Sequence, residues 1–168
     1  IIGNRILENG RNGIWFAGNS DDSFVFMNDI GSNENYGIYL GSVGRVKIVG
    51  NNIYLNTIGI DLYTSVKCQV IANFLHNSSI NVRIHGSSSD WGRENIIANN
   101  EMTGGGQGVR LSGYANRNII AQNTIHDVSD GIKEQDYADY NLILGNILRD
   151  YTNAVSYTNL TLPTTERV

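Results

Sequence analysis

The chain has 168 residues, 40% of them hydrophobic and 17% charged, with 19 glycines, one proline, one cysteine and a formal net charge of −4. That length carries one domain with a sizeable core, and the hydrophobic share excludes a disordered chain. No apolar run is long enough for a membrane span, no basic tract suits nucleic acid, and the single Cys68 excludes an internal disulfide.

The chain opens on Ile1-Ile2-Gly3-Asn4 without a methionine or a leader, as an excised piece or a mature product would. From that first Asn a pattern recurs. An Asn placed two residues before an apolar one stands at Asn4, Asn28, Asn51, Asn73, Asn100, Asn123 and Asn146, at steps of 24, 23, 22, 27, 23 and 23. The apolar partners are Ile6, Ile30, Ile53, Leu75, Met102, Ile125 and Leu148. A second apolar column precedes each Asn by three residues, from Ile1 and Val25 to Ile143. Eight or nine residues after each Asn, a small residue precedes Ile or Val, as in Gly13-Ile14, Gly37-Ile38, Gly59-Ile60, Asn81-Val82, Gly108-Val109, Gly131-Ile132 and Ala154-Val155.

A unit of this length fits a leucine-rich repeat or a β-solenoid coil. Ile and Val replace the leucine framework, and each unit holds three short period-two stretches with no helical spacing. The sequence therefore predicts an all-β fold, a single-stranded right-handed parallel β-helix (solenoid) of about seven coils, three short strands per coil, over residues 1–158. A polar tail follows over 159–168. Coils stacked at ~4.8 Å make a rod on the order of 30 Å long. Asn is expected to take the left-handed conformation at tight corners, its amide bonded to the coils above and below. The Gly column is expected to supply positive φ, with Asn81 as the tolerant substitute and Ala154 marking an irregular last turn. No cap is visible at either end. A fragment of a longer solenoid is expected, or ends covered by another chain, with end-to-end self-association as one form of that.

In each Gly-Ile-x-Leu strand, Ile and Leu fill the core and the residue between them points outward. That outward column reads Trp15, Tyr39, Asp61, Arg83, Arg110, Lys133 and Ser156. The next one reads Ala17, Gly41, Tyr63, His85, Ser112, Gln135 and Thr158. Asp61 is thus expected on the outside, between aromatics and three successive cations. A line of cations at ~4.8 Å pitch repels itself and suits a linear anionic ligand. The plainer alternative is a solvated strand partly neutralised by Asp61, Glu134 or Asp136. Columns one and three residues after the Asn, such as Asp29, Asn52 and Phe74 or Tyr54, His76 and Thr103, have no consistent character.

The longest step falls at "HGSSSDWGREN", just after the fourth such strand. Trp91 in this loop would stack on a sugar ring, or cover the flank of its coil. Glu134 stands where the inward column otherwise holds Phe, Leu or Ile, so it is a buried carboxylate unless the coil turns early there.

These columns resemble the parallel β-helix repeat superfamily of carbohydrate-binding proteins and sugar hydrolases, which includes pectate lyases, polygalacturonases and alginate C5-epimerases. The resemblance covers essentially the whole chain, and it implies that the Gly-Ile-x-Leu strands line a polysaccharide groove. Gly59-Ile60-Asp61-Leu62 is similar to the Gly-Phe-Asp-Pro segment of alginate epimerases, whose Asp is catalytic; Leu62-Tyr63 stand where those have Pro-His. The polygalacturonase signatures are missing, and the paired Asp21 and Asp22 fall in a turn.

Two functions follow. The first is a lyase or C5-epimerase acting on an acidic, uronate polysaccharide, which needs cations to stabilise the enolate-like intermediate together with a base and an acid. Arg83, Arg110 and Lys133 would neutralise, His85 or Lys133 would be the base and Tyr63 the acid, while Asp61 would orient a basic side chain. Trp15, Tyr39, Trp91 and Gln135 would bind substrate. Hydrolysis ranks lower, because Asp61 lacks a second carboxylate facing it. No cofactor is expected: calcium would want more carboxylates near Asp61, and Cys68, Met27, His76 and His126 lack metal-ligand spacing. The second function is a non-catalytic solenoid, a glycan-binding or structural module of a surface or phage protein. Either places the chain outside the cell or on its surface, with an anionic polysaccharide as partner and neither nucleic acid nor a membrane span.

Overall fold

A computed structural model describes residues 1–157, so Thr158 and the 159–168 tail lie outside the described residues. Among the described residues there is no helix, and every strand pairing is parallel. The chain winds as a right-handed parallel β-helix of about seven coils, the hand that parallel crossovers take almost without exception. The strands after the Asn column pair in sequence from Arg5–Leu7 through Asp29–Gly31 and Asn52–Tyr54 to Ile147–Tyr157. Asn12–Ala17, Tyr36–Gly41 and Ile58–Tyr63 stack as the Gly-Ile-x-Leu strands of the first three coils, and in later coils this strand is continuous with the first, as in Phe74–Gly86. The third face runs from Phe24–Phe26 to Leu142–Leu144.

The core follows from register. Val25, Ile48, Val70, Ile97 and Ile120 face Ile30, Ile53, Leu75, Met102 and Ile125 across one dry interior, closed on the third side by Ile38, Ile60, Val82, Val109 and Ile132. Each such side chain taken from water contributes about 1.5–3 kcal/mol, which is why no apolar column admits a polar residue until Glu134.

The Asn column forms the expected ladder. Asn28, Asn51 and Asn100 each donate Nδ2 to Oδ1 of the Asn one coil on, at 2.9 Å, and their backbone N–H groups bond to the same oxygens. Its conformational reason differs from expectation. The left-handed residues are those just before the ladder, Met27, Gly50, Ala72, Asn99, Gln122 and Gly145, all with φ between 54° and 66°. The ladder Asn itself is there for its amide.

The Gly column also has another cause, since none of Gly13, Gly37, Gly59, Gly108 and Gly131 has positive φ. A Cβ on Gly108 would sit 2.5 Å from the Gly131 carbonyl oxygen and 2.5 Å from Ile125 Cγ2. Close stacking of coils selects glycine here, and Asn81 is an exception to that packing rather than a tolerant turn residue: it is fully buried, with Oδ1 unpartnered.

Two more ladders, at constant offsets in the sequence, line the other two corners. Asn9, Asn33 and Asn56 bond in series at a second corner, and Asn95, Asn118 and Asn141 at a third. Both lie five residues from the first column, on either side. Cys68 occupies the third column one coil earlier: its N–H donates to Asn95 Oδ1 at 2.9 Å, and its Sγ points to the Val43 and Val66 carbonyls.

Candidate functional site

Because the coils stack without slippage, the outward column of the Gly-Ile-x-Leu strands is a spatial row. Trp15, Tyr39, Asp61, Arg83, Arg110, Lys133 and Ser156 are partners in successive coils. Ala17, Gly41, Tyr63, His85 and Ser112 form the second row, which Gln135 extends by donating its N–H to the Leu111 carbonyl.

Asp61 is on the outward face but is not exposed. Its side chain is 0% accessible, covered by Arg83 and His85 from the next coil. Arg83 donates Nε to Oδ1 at 2.9 Å and Nη2 to Oδ2 at 2.7 Å, and His85 Nε2 lies 3.1 Å from Oδ1. Burial pushes the Asp61 carboxyl upward, but hydrogen bonds and charge from Arg83 and His85 outweigh it, and the group is held below the ordinary carboxylate range. Tyr63 packs on His85 with ring centroids 4.7 Å apart. Tyr39 is pushed upward, chiefly by burial and then by the Asp61 charge, so its phenol stays neutral. A strand-face carboxylate is buried because neighbours one coil away have side chains long enough to fold over it.

The three cations are not an unbroken line of free charge. Arg83 belongs to Asp61. Lys133 Nζ lies 3.4 Å from Oδ2 of Asp130, which also accepts from Gln107 Nε2 at 3.0 Å and Asn153 Nδ2 at 2.8 Å. Arg110 forms no ion pair among the described residues, and its Nε is a buried donor without an acceptor. Asp61 thus neutralises Arg83, as expected, and Asp130 is the counter-charge of Lys133.

Asp130, Gln107 and Tyr36 were missed by the sequence reading. They belong to a further row, Asn12, Tyr36, Ile58, Ile80, Gln107, Asp130 and Asn153, three residues before the outward column. That constant offset was the available signal. The Tyr36 ring lies 5.1 Å from that of Tyr39.

Trp91 sits beyond the end of its strand rather than on the row. The loop closes with Ser87 N–H donating to the Asp90 carbonyl at 2.7 Å, and Trp91 lines a shallow pocket with Thr64, Val66 and Arg93. Register places Trp91, Tyr114 and Tyr137 in equivalent positions on three coils, and the two tyrosine rings stack 5.0 Å apart. Glu134 keeps its strand register opposite Leu111 before the chain turns at Gln135, so it occupies the inward column after all. It accepts from Asn141 Nδ2 at 2.6 Å, and burial raises its carboxyl above the usual range despite that bond. Asp21 and Asp22 are gripped by Arg45 one coil on. The columns that looked mixed are also knit together: Asn52 donates to Asp29 at 2.8 Å, and His76 stacks on both Tyr54 and Phe74.

A sequence-family profile described as periplasmic copper-binding protein (NosD) matches residues 1–95. Comparison with curated protein sequences gives no match. Among solved structures the chain is similar to the periplasmic alginate epimerase AlgG, at 18% identity and a TM-score of 0.68 over 95% of this chain and 39% of that one. It is similar to the A-module of the Azotobacter vinelandii mannuronan C-5 epimerase AlgE4, at 14% identity and 0.66 over 96% and 43%. An alginate lyase from Paenibacillus sp. str. FPU-7 matches at 14% identity and 0.54 over 86% and 76%. The chain spans about two fifths of the two epimerase structures, and the likeness at these identities is one of fold.

Copper takes thiolate, thioether and imidazole donors, and the residues present do not converge on a site for it. Cys68 is fully buried in a corner ladder, Met27 is 63% exposed on another corner, and His76 and His126 each serve local ring or hydrogen-bond contacts. No group of three or more His, Cys, Asp or Glu side chains able to hold a metal ion occurs among the described residues.

Proposed function

This chain belongs to the periplasmic copper-binding protein (NosD) family, and from its groove we propose that it acts on an acidic polysaccharide, as a uronate lyase or C5-epimerase working outside the cytoplasm. The observation that carries the reading is the buried Asp61 carboxylate 3.1 Å from His85 Nε2, with Tyr63 against the same imidazole. A carboxylate accepting from Nε2–H fixes the tautomer in which Nδ1 keeps its lone pair. His85 then removes the proton α to the uronate carboxylate. Tyr63 gives a proton to the departing glycosidic oxygen in a lyase; in an epimerase the opposite face of the same carbon points away from this floor and takes its proton from solvent. The intermediate carries its charge on the uronate carboxylate, and Arg110, the cation without a carboxylate of its own, pairs with it. Arg83, saturated by Asp61, keeps the base oriented instead of meeting substrate.

A second reading is a glycan-binding module without turnover. It is favoured by the same saturation of Arg83 and Lys133, which makes the groove a fixed surface. Incubation with alginate, pectate and polygalacturonate, with and without calcium, separates the two. Ultraviolet absorbance of unsaturated products reports elimination, and proton NMR reports inversion at C5. Activity should fall about 10²–10⁴-fold in His85→Gln and be lost in Arg110→Ala. Binding of these chains without any product would rule out the enzyme and leave the module.

A further inference from the structure

The groove has two chemically different halves. On the first two coils its floor is aromatic: Trp15 and Tyr39 meet edge to face at 84° with centroids 6.0 Å apart, and Tyr36 packs on Tyr39. These rings, with Asn12, Asn35 and Arg11, line a pocket of about 260 Å³. Its one charge, Arg11, is an exposed residue at the rim, where solvent leaves a single ion pair worth little. On the fourth to sixth coils the floor is Arg83, Arg110 and Lys133, and the aromatics Trp91, Tyr114 and Tyr137 stand past the strand ends.

We propose that the ligand is a mixed polysaccharide, with a neutral sugar over Trp15 and Tyr39 and a uronate over Arg110. This inference rests on the acidic-polysaccharide reading above and narrows it. One pyranose unit of an extended chain spans about one coil rise, ~4.8 Å, so successive sugars meet successive coils. The apolar C–H face of a neutral pyranose stacks on an aromatic floor, and its hydroxyls find the amides of Asn12 and Asn35. A uronate there would bring its carboxylate onto rings with no buried cation beneath, an uncompensated desolvation. At Arg110 the order reverses, because a guanidinium without an ion pair among the described residues attracts an anion and a neutral sugar offers none.

Titration calorimetry of the whole chain tests this with length-matched oligosaccharides: a block chain of two neutral hexoses joined, in either order, to a run of uronates, uronate only, and neutral only. The block chain of the favoured order should bind about tenfold tighter than the uronate-only or neutral-only chain. Trp15→Ala, a change at a side chain 60% exposed, should weaken the block chain about three- to tenfold and leave the uronate-only chain unchanged. Arg110→Ala should weaken both uronate-containing chains. Equal or tighter binding of the uronate-only chain, with equal sensitivity to Trp15→Ala, overturns this inference alone. Failure of every uronate-containing chain to bind overturns the underlying reading and this inference with it. Unchanged far-ultraviolet circular dichroism of each variant confirms that the fold is intact.

Discussion

Arg83 holds Asp61 with both arms of its guanidinium, at 2.9 and 2.7 Å, although the two residues lie 22 positions apart in the chain. The pair exists because one coil returns the chain to the same place, and it closes the floor of the groove over a carboxylate with no access to water.

Removing the cation should therefore be costly. Arg83→Leu leaves Asp61 buried with His85 as its remaining partner, and urea denaturation should show a loss of about 3 kcal/mol. The double change Arg83→Leu, Asp61→Leu should recover most of it, since two apolar groups make no demand on one another. A double variant no more stable than the single one would refute the charge account.

The same pair sets an acid limit. Asp61 titrates below its ordinary value of 3.8 when folded, so the folded state binds its proton less tightly than the unfolded one. Its stabilisation is present above that value and is lost as the pH falls through the lower folded value. Thermal melts of the natural chain and Asp61→Asn should differ at neutral pH and converge in acid.

Glu134 has the opposite sign. Burial raises its folded carboxyl above 4.5, so stability declines as the pH rises from the unfolded value through the folded one. Glu134→Gln keeps an oxygen for Asn141 Nδ2 and should raise the melting temperature at neutral pH, with the gain vanishing in acid.

Coil stacking predicts a contrast between glycines. Gly108→Ala drives a Cβ against the Gly131 carbonyl oxygen and Ile125, each 2.5 Å away, and should cost about 1–3 kcal/mol. Gly10 has nothing within 4 Å, so Gly10→Ala should be neutral. Equal effects in chemical denaturation would remove close approach as the reason for the column.

Cys68 should be inert. Burial pushes its thiol up to about 11, so iodoacetamide at a pH of about 8.5, the ordinary thiol value, should spare the folded chain and label it readily in urea. Rapid labelling of the folded chain would contradict its place in the corner ladder.

Much of this was written in the chain itself. The Asn, Ile and Gly columns fixed seven coils, three strands in each, which side chains enter the core, and the row from Trp15 to Lys133, because a parallel coil repeats its register each turn and sequence spacing becomes spatial adjacency. The Asn9 and Asn95 ladders and the Asp130 row obey the same rule at offsets that were open to view. What only the tertiary structure decided was how side chains reach between coils: that Arg83 folds over Asp61 and buries it, that Asp130 holds Lys133, and that Arg110 is left without a carboxylate. Register places Cα atoms, but a long side chain spans more than one coil spacing, and which neighbour it meets depends on packing in three dimensions.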